Sequence, residues 1–151
     1  MKEEKSQFAG IHFVFDGYFS RNSPLLTEEG VRGFLEELTT NLELEKESGP
    51  FVFPFILPEE MTIDYPQIQD ISNPVGLSAV MILKTSHISL HTWVEIESSP
   101  GSKDSFVSLD IFSCKPFQSK KVLDFFEQKS IYKGNSLLIE RSFHDKQEII
   151  S

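Results

Sequence analysis

The chain has 151 residues, 39% of them apolar and 25% charged, which is ordinary globular composition and enough for one domain that buries about 70% of its unfolded surface without a disulfide or metal staple. A net charge of −9 with no Lys/Arg cluster argues against a phosphate-tracking surface and hence against nucleic acid as a partner. The single cysteine, Cys114, excludes a disulfide within the chain and suits a reducing compartment, while the most apolar stretch, Val75 to Leu83, is too short to span a bilayer.

Met1 to Gln7 is charged and is not followed by the apolar run of a signal peptide, so a soluble, cytoplasmic protein without membrane attachment is expected. Ile11 to Phe15 is rich in β-branched and aromatic residues and reads as a strand. Thr27 offers a helix cap, Glu28 and Glu29 complement the dipole, and Val31, Phe34, Leu35, Leu38 and Leu42 follow at helical spacing. Gly30 lowers the propensity of that helix slightly. Glu45 to Pro50 is a polar turn, and Phe51 to Leu57 is a strand that Pro54 pushes to a sheet edge.

Pro58 to Asn73 reads as a long connection. Val75 to Leu83 and His87 to Ile96 are strands, Ser98 to Lys103 a turn, and Val107 to Phe112 another strand. Ser119 to Lys129 carries Val122, Leu123, Phe125 and Phe126 at roughly helical spacing and forms the second helix. Leu137 to Ile139 is a last short strand, followed by a polar tail from His144 that is expected to fray. The order β-α-β-β-β-β-α-β on short links predicts an α+β fold, a single domain over 1–151 with an antiparallel sheet and both helices on one face. The opposite face then needs a cover, either water or a second copy of the sheet. Phenylalanine is the compositional outlier, with 14 residues against one Trp and 3 Tyr, so bulky core and interface material is plentiful.

The chemistry lies in Thr85-Ser86-His87-Ile88-Ser89-Leu90-His91-Thr92-Trp93-Val94-Glu95. Strand alternation puts His87, Ser89, His91, Trp93 and Glu95 on one face and Ile88, Leu90, Thr92 and Val94 on the other. The second set packs against helices. The first is a row of proton-transfer groups, an aromatic plate and a carboxylate. Taken singly, each has an ordinary explanation: a strand histidine is more often a satisfied surface group, a tryptophan is more often packing, and a lone cysteine is usually a small buried hydrophobe. Composition and periodicity name no reaction.

The run from Ser86 to Glu95, followed by Ser108-Leu109-Asp110-Ile111-Phe112-Ser113-Cys114, resembles the core of the pyruvoyl-dependent S-adenosylmethionine decarboxylases of bacterial and archaeal type. Pro74 to Val80 resembles that family's lead-in strand, and Ile11 to Asp16, more loosely, its first strand. The resemblance implies a proenzyme cleaved between Thr85 and Ser86, with Ser86 becoming a covalent pyruvoyl cofactor and no metal required. It implies that Ser78 and His91 assist processing, that Cys114 is the proton donor of decarboxylation, that Glu95 holds the ribose hydroxyls, and that Trp93 frames the adenine. It also implies a two-layer α/β sandwich whose chains pair sheet to sheet in a homodimer. Ser86 and Cys114 would then come from one chain, and Ser78, His91 and Glu95 from the other.

The chemistry accounts for these residue types. Attack of Ser86 Oγ on the Thr85 carbonyl replaces the peptide bond by an ester, and an imidazole is suited to removing the Ser86 Cα proton so that the ester is eliminated. Hydrolysis of the resulting dehydroalanine leaves a ketone that condenses with a substrate amine and accepts the electrons released with carbon dioxide. An acidic, aromatic-lined pocket suits a sulfonium substrate. The chain departs from the family pattern at Thr85, usually glutamate, at Ser72, where relatives carry an aromatic that stacks on adenine, and at Lys115, commonly glycine; the hairpin from Glu95 to Val107 is also longer. Besides a decarboxylase of S-adenosylmethionine that supplies spermidine synthesis, two readings stay open: a pyruvoyl decarboxylase of arginine or ornithine, and an uncleaved regulatory homologue.

Overall fold

A computed structural model describes residues 8–20, 22–56, 58–61, 75–99, 102–143 and 148–150. Its elements are β1 (Phe8–Phe19), α1 (Glu28–Asn41), β2 (Lys46–Phe55), β3 (Gly76–Leu83), β4 (Ser86–Ser99), β5 (Ser102–Ser113), α2 (Ser119–Gln128), β6 (Tyr132–Ser142) and β7 (Glu148–Ile150), with short 3-10 turns at Pro24–Leu26 and Glu59–Met61. The seven strands form one sheet in the order β2-β3-β4-β5-β1-β6-β7, and every neighbouring pair is antiparallel. This is the α+β arrangement expected from the element order. Among the described residues no helix is long and apolar enough to cross a membrane.

One face of the sheet is buried against the helices. Phe13 and Phe15 of β1, Ile88 and Leu90 of β4, and Leu109 and Ile111 of β5 form a single cluster with Leu35 and Leu38 of α1 and Phe126 of α2. Phe126 is the hub of the aromatic packing: its ring stacks on Phe15 with centroids 4.4 Å apart and on Phe34 at 5.6 Å. Offset stacking of this kind adds to the area the rings bury.

Helix α1 starts where the sequence predicts it. The Thr27 hydroxyl accepts a hydrogen bond from the Gly30 amide at 3.0 Å and itself donates to the Pro24 carbonyl at 2.8 Å. Gly30 does more than lower helix propensity. A Cβ there would stand 1.9 Å from the Pro24 carbonyl oxygen, so the close packing of the Pro24–Leu26 turn on the helix requires glycine.

Several boundaries differ from expectation, among them the last short strand expected over Leu137 to Ile139, which runs from Tyr132 to Ser142. Glu45 to Pro50 was expected as a turn, but β2 begins at Lys46 and passes through Gly49, whose φ of 97° accommodates an irregularity in its ladder with β3. The turn expected over Ser98 to Lys103 narrows, because β4 runs to Ser99 and β5 starts at Ser102. The tail returns as β7, with Ile149 and Ile150 opposite Ile139 and Leu138 of β6, so its β-branched end gains a ladder in place of fraying. The connection expected after Pro58 opens with the Glu59–Met61 turn, and the rest of it, Ser72 included, lies outside the described residues.

The packing yields a direct stability test. Phe126→Ala removes the ring shared by both layers and should cost about 3–5 kcal/mol, read as a lower urea midpoint at unchanged slope. Phe53→Ala, at a side chain 61% exposed on the open face, should shift the free energy of the isolated chain by no more than about 0.5 kcal/mol.

Candidate active site

The sheet face turned away from the helices carries the polar row. Register aligns Phe53, Ser78, His91, Ser108 and Asp16 across five strands, and beside them Phe55, Gly76, Trp93, Phe106 and Tyr18. The alternation read from β4 is therefore continued by its neighbours on both sides.

His91 Nδ1 lies 2.9 Å from Ser78 Oγ, so the two residues expected to act together are hydrogen-bonded. They line a cavity of about 500 Å³ with Trp93, Phe55, Phe106, Asp16, Ser108, Leu77 and Thr92. Phe55 meets Trp93 edge-on, with centroids 4.8 Å apart and planes at 72°. The backbone brings them together: the Val75 amide donates to the Phe55 carbonyl and the Val94 amide to the Val75 carbonyl, each at 2.8 Å. Gly76 permits this approach, since a Cβ there would stand 1.7 Å from the Thr92 carbonyl oxygen.

Sequence reasoning did not assign Asp16, Phe55, Phe106 or Ser108 to a site. A period of two along each strand places each on the polar face. Their convergence on His91 depends on strand order, which local patterns do not carry. The side chain of Glu95 lies outside the described residues.

Ser86 and Cys114 sit elsewhere. Ser86 opens β4 after the two-residue turn Lys84-Thr85, and it pairs with Leu83 and with Ser113. Five residues separate it from His91, roughly 16 Å along a strand rising about 3.3 Å per residue. Within one chain the expected site residues thus form two groups, Ser78–His91–Trp93 and Thr85–Ser86–Cys114.

The junction at Ser86 has distinctive geometry. Its φ is 144°, a positive value unusual for a residue with a side chain. The Thr85 carbonyl accepts a hydrogen bond from the Cys114 amide at 2.9 Å. The buried Ser113 hydroxyl donates to the Lys115 carbonyl at 2.8 Å and accepts from the Lys115 amide at 3.1 Å. Its one proton is thereby committed, so the 2.9 Å contact with Thr85 Oγ1 has the Thr85 hydroxyl as donor. The Lys115 ammonium in turn donates to the Glu43 carbonyl at 2.6 Å, just beyond the end of α1. Thr85 and Lys115, the two departures flanking the motif, are thus joined through Ser113 and tie the junction to the helix layer. Cys114 is exposed. Among the described residues no group of three or more His, Cys, Asp or Glu side chains is arranged to hold a metal.

Comparison with known proteins gives a consistent answer. Residues 11–130 match the family described as S-adenosylmethionine decarboxylase. An S-adenosylmethionine decarboxylase proenzyme of Clostridium botulinum (strain Langeland) is 36% identical over 62 residues, 40% of this chain and 47% of that one. The proenzyme of Archaeoglobus fulgidus is 29% identical over 105 residues, 70% of each chain. That of Hydrogenobaculum sp. is 28% identical over 117 residues, 77% of this chain and 68% of that one. The chain thus spans about half the length, 47%, of the clostridial relatives it matches.

The hydrogen bonds at the junction set their own test. Thr85→Val keeps the shape and removes one donor, leaving Ser113 with both Lys115 partners, and should lower stability by about 1 kcal/mol. Ser113→Ala leaves the Thr85 hydroxyl and both Lys115 backbone groups without their partner and should cost about 1–3 kcal/mol. Urea denaturation of the two variants checks the order.

Proposed function

The chain belongs to the S-adenosylmethionine decarboxylase family, and from that premise we propose that it is a proenzyme that cleaves itself between Thr85 and Ser86 and then decarboxylates S-adenosylmethionine, supplying spermidine synthesis. In this reading it works as a soluble cytoplasmic homodimer. The observation that carries the proposal is the backbone at Ser86, a serine held at positive φ directly after a carbonyl that is hydrogen-bonded to the Cys114 amide.

Each part of that junction suits an acyl shift. The amide polarises the Thr85 carbonyl and can stabilise the oxyanion formed when Ser86 Oγ adds to it. A bond forms from Oγ to the Thr85 carbon, the carbon–nitrogen bond breaks, and Ser86 regains a free amine. Removal of the Ser86 Cα proton then expels Thr85 as a carboxylate. Water converts the remaining enamine to a ketone, with loss of ammonia. Backbone strain at Ser86, of order 1–3 kcal/mol for such conformations, raises the intact chain toward this reaction.

The pyruvoyl ketone supplies the electrophile that binds a substrate amine and draws off the electron pair freed as carbon dioxide departs. Cys114 Sγ, exposed beside the junction, holds a proton for the substrate carbon. Ser78 orients His91 through their hydrogen bond, and His91 serves as the base of processing. The cavity beside them presents three aromatic rings, Phe55, Trp93 and Phe106, together with the Asp16 carboxylate. The three rings give a flat adenine base more stacking area than arginine or ornithine can use, whereas the attraction of rings and carboxylate for a cation is common to a sulfonium, a guanidinium and an ammonium. Phe55 thereby offers an aromatic plate where Ser72 has none. Glu95 is assigned to the ribose hydroxyls on the sequence resemblance alone.

The distance between the two groups of residues calls for a second chain. A two-fold axis through paired sheets brings the Ser86 end of one β4 toward the His91 end of the other. The open face suits burial, with Phe51, Phe53, Ile82 and Leu137 exposed on it.

Two measurements test this reading. Denaturing mass spectrometry of the purified chain should show residues 1–85 and a pyruvoyl-blocked 86–151, whereas Ser86→Ala should remain whole; a full-length wild-type chain after long incubation at neutral pH would favour the regulatory homologue. Cys114→Ala should cleave and lose most decarboxylation, and Trp93→Ala should bind substrate poorly. Co-expressed in equal amounts, the two variants should recover about a quarter of the wild-type rate, since half of the dimers are mixed and each mixed dimer holds one intact site. Recovery confined to additive residual rates would place each site within one chain. Release of carbon dioxide from arginine or ornithine but not from S-adenosylmethionine would overturn the substrate assignment.

A further inference from the structure

A second cluster of titratable side chains occupies the open face away from the cavity. Asp110, on β5, stands between β4 and β1, and its row contains Ser89 and Val14. In the next row, His87, Phe112 and His12 lie side by side. His12 Nε2 is 2.8 Å from Asp110 Oδ2, and His87 Nε2 is 3.4 Å from Oδ1. Oδ1 is itself buried and has no hydrogen-bond partner, the His87 imidazole standing at ion-pair distance only. Phe112 fills the space between the two imidazoles, at 6.0 Å from His12 and 6.3 Å from His87. Arg141 of β6 stands over the Phe112 ring at 5.0 Å. His12 is therefore hydrogen-bonded to this carboxylate, while His87 stands within ion-pair reach of its unbonded oxygen.

We propose that Asp110, oriented by His12, is a positioning residue that grips His87 and so holds the Ser86 end of β4 in place after the Thr85–Ser86 bond is cut. The proposal rests on the reading of Ser86 as the cleaved serine. In the intact chain, His87 is tethered one residue from a backbone at φ 144°, and its ring stops at a long 3.4 Å from Oδ1. Cutting the chain releases that constraint and turns residues 86 and 87 into a chain terminus, where strands fray. A buried carboxylate oxygen without a closer donor gains from the approach of the imidazole. The ladders to β3 and β5 hold the backbone of the new end, and the His87–Asp110 contact adds a side-chain anchor next to the reactive group. His12 keeps the carboxylate from turning away.

The test uses cleaved wild-type protein, Asp110→Asn, His87→Phe and the double variant. All four should cleave fully, because the grip acts after scission. The first amides of β4 should exchange with deuterium about tenfold faster in each variant, and kcat on S-adenosylmethionine should fall about tenfold with KM within about twofold. The double variant should be no worse than either single one, since both remove the same contact. Wild-type exchange at the start of β4 in either folded variant, or additive losses in the double variant, would overturn the proposal. If Asp110→Asn fails to fold, the exchange rate of His87→Phe decides alone. A wild-type chain that does not cleave would instead remove the functional reading on which the proposal stands.

Discussion

The β4–β5 ladder sets every other relation in the molecule. Its register places Ser86 opposite Ser113, His87 opposite Phe112, and His91 opposite Ser108. Because side chains alternate with period two, a slip of one residue would turn Ile88 and Leu90 outward and drive His87 and His91 into the helix layer. The apolar set on the inner face therefore fixes the polar set on the outer face. The polar row of β4 is thus positioned by residues of the other face, among them Leu109 and Ile111 in the core they share with Phe126.

Phenylalanine has two jobs in this arrangement. Phe13, Phe15, Phe19, Phe34, Phe125 and Phe126 fill the space between sheet and helices, where ring stacking joins β1 to both helices. Phe51, Phe53, Phe55, Phe106 and Phe112 lie on the opposite face. In the single chain Phe51 and Phe53 stay exposed to water, an apolar patch on the face away from the helices.

Much of this was legible in the residues. Helix α1 follows from Thr27 and the spacing of Val31, Phe34, Leu35 and Leu38, and β4 follows from its alternation as far as Trp93, after which its ladder with β5 shifts register before Ile96. Helix α2, which starts at Ser119 without a side-chain cap, was still readable from Val122, Phe125 and Phe126. What stayed hidden depends on contacts distant in sequence. Gly30 looked like a weak helix former until Pro24 was seen against it, and Phe55 looked like an edge-strand residue until Val75 brought it to Trp93. The conformation of Ser86 was hidden for another reason: two-residue hairpin turns usually advertise themselves with glycine or asparagine, and Lys84-Thr85 carries neither. Thr85 and Lys115 read as departures from a pattern, whereas in the fold they meet through Ser113.

The strand order also governs what happens to a nicked chain. A cut between Thr85 and Ser86 leaves one piece holding β1, α1, β2 and β3, and another holding β4, β5, α2, β6 and β7. In the sheet these pieces interleave: β3 lies against β4, and β1 is inserted between β5 and β6. Separation would have to break three ladders and open the common core at once. Two polypeptides made by such a cut would stay woven into one body, at one to one and without a covalent link between them. Maturation by such a cut would therefore happen in place, and dilution would not undo it.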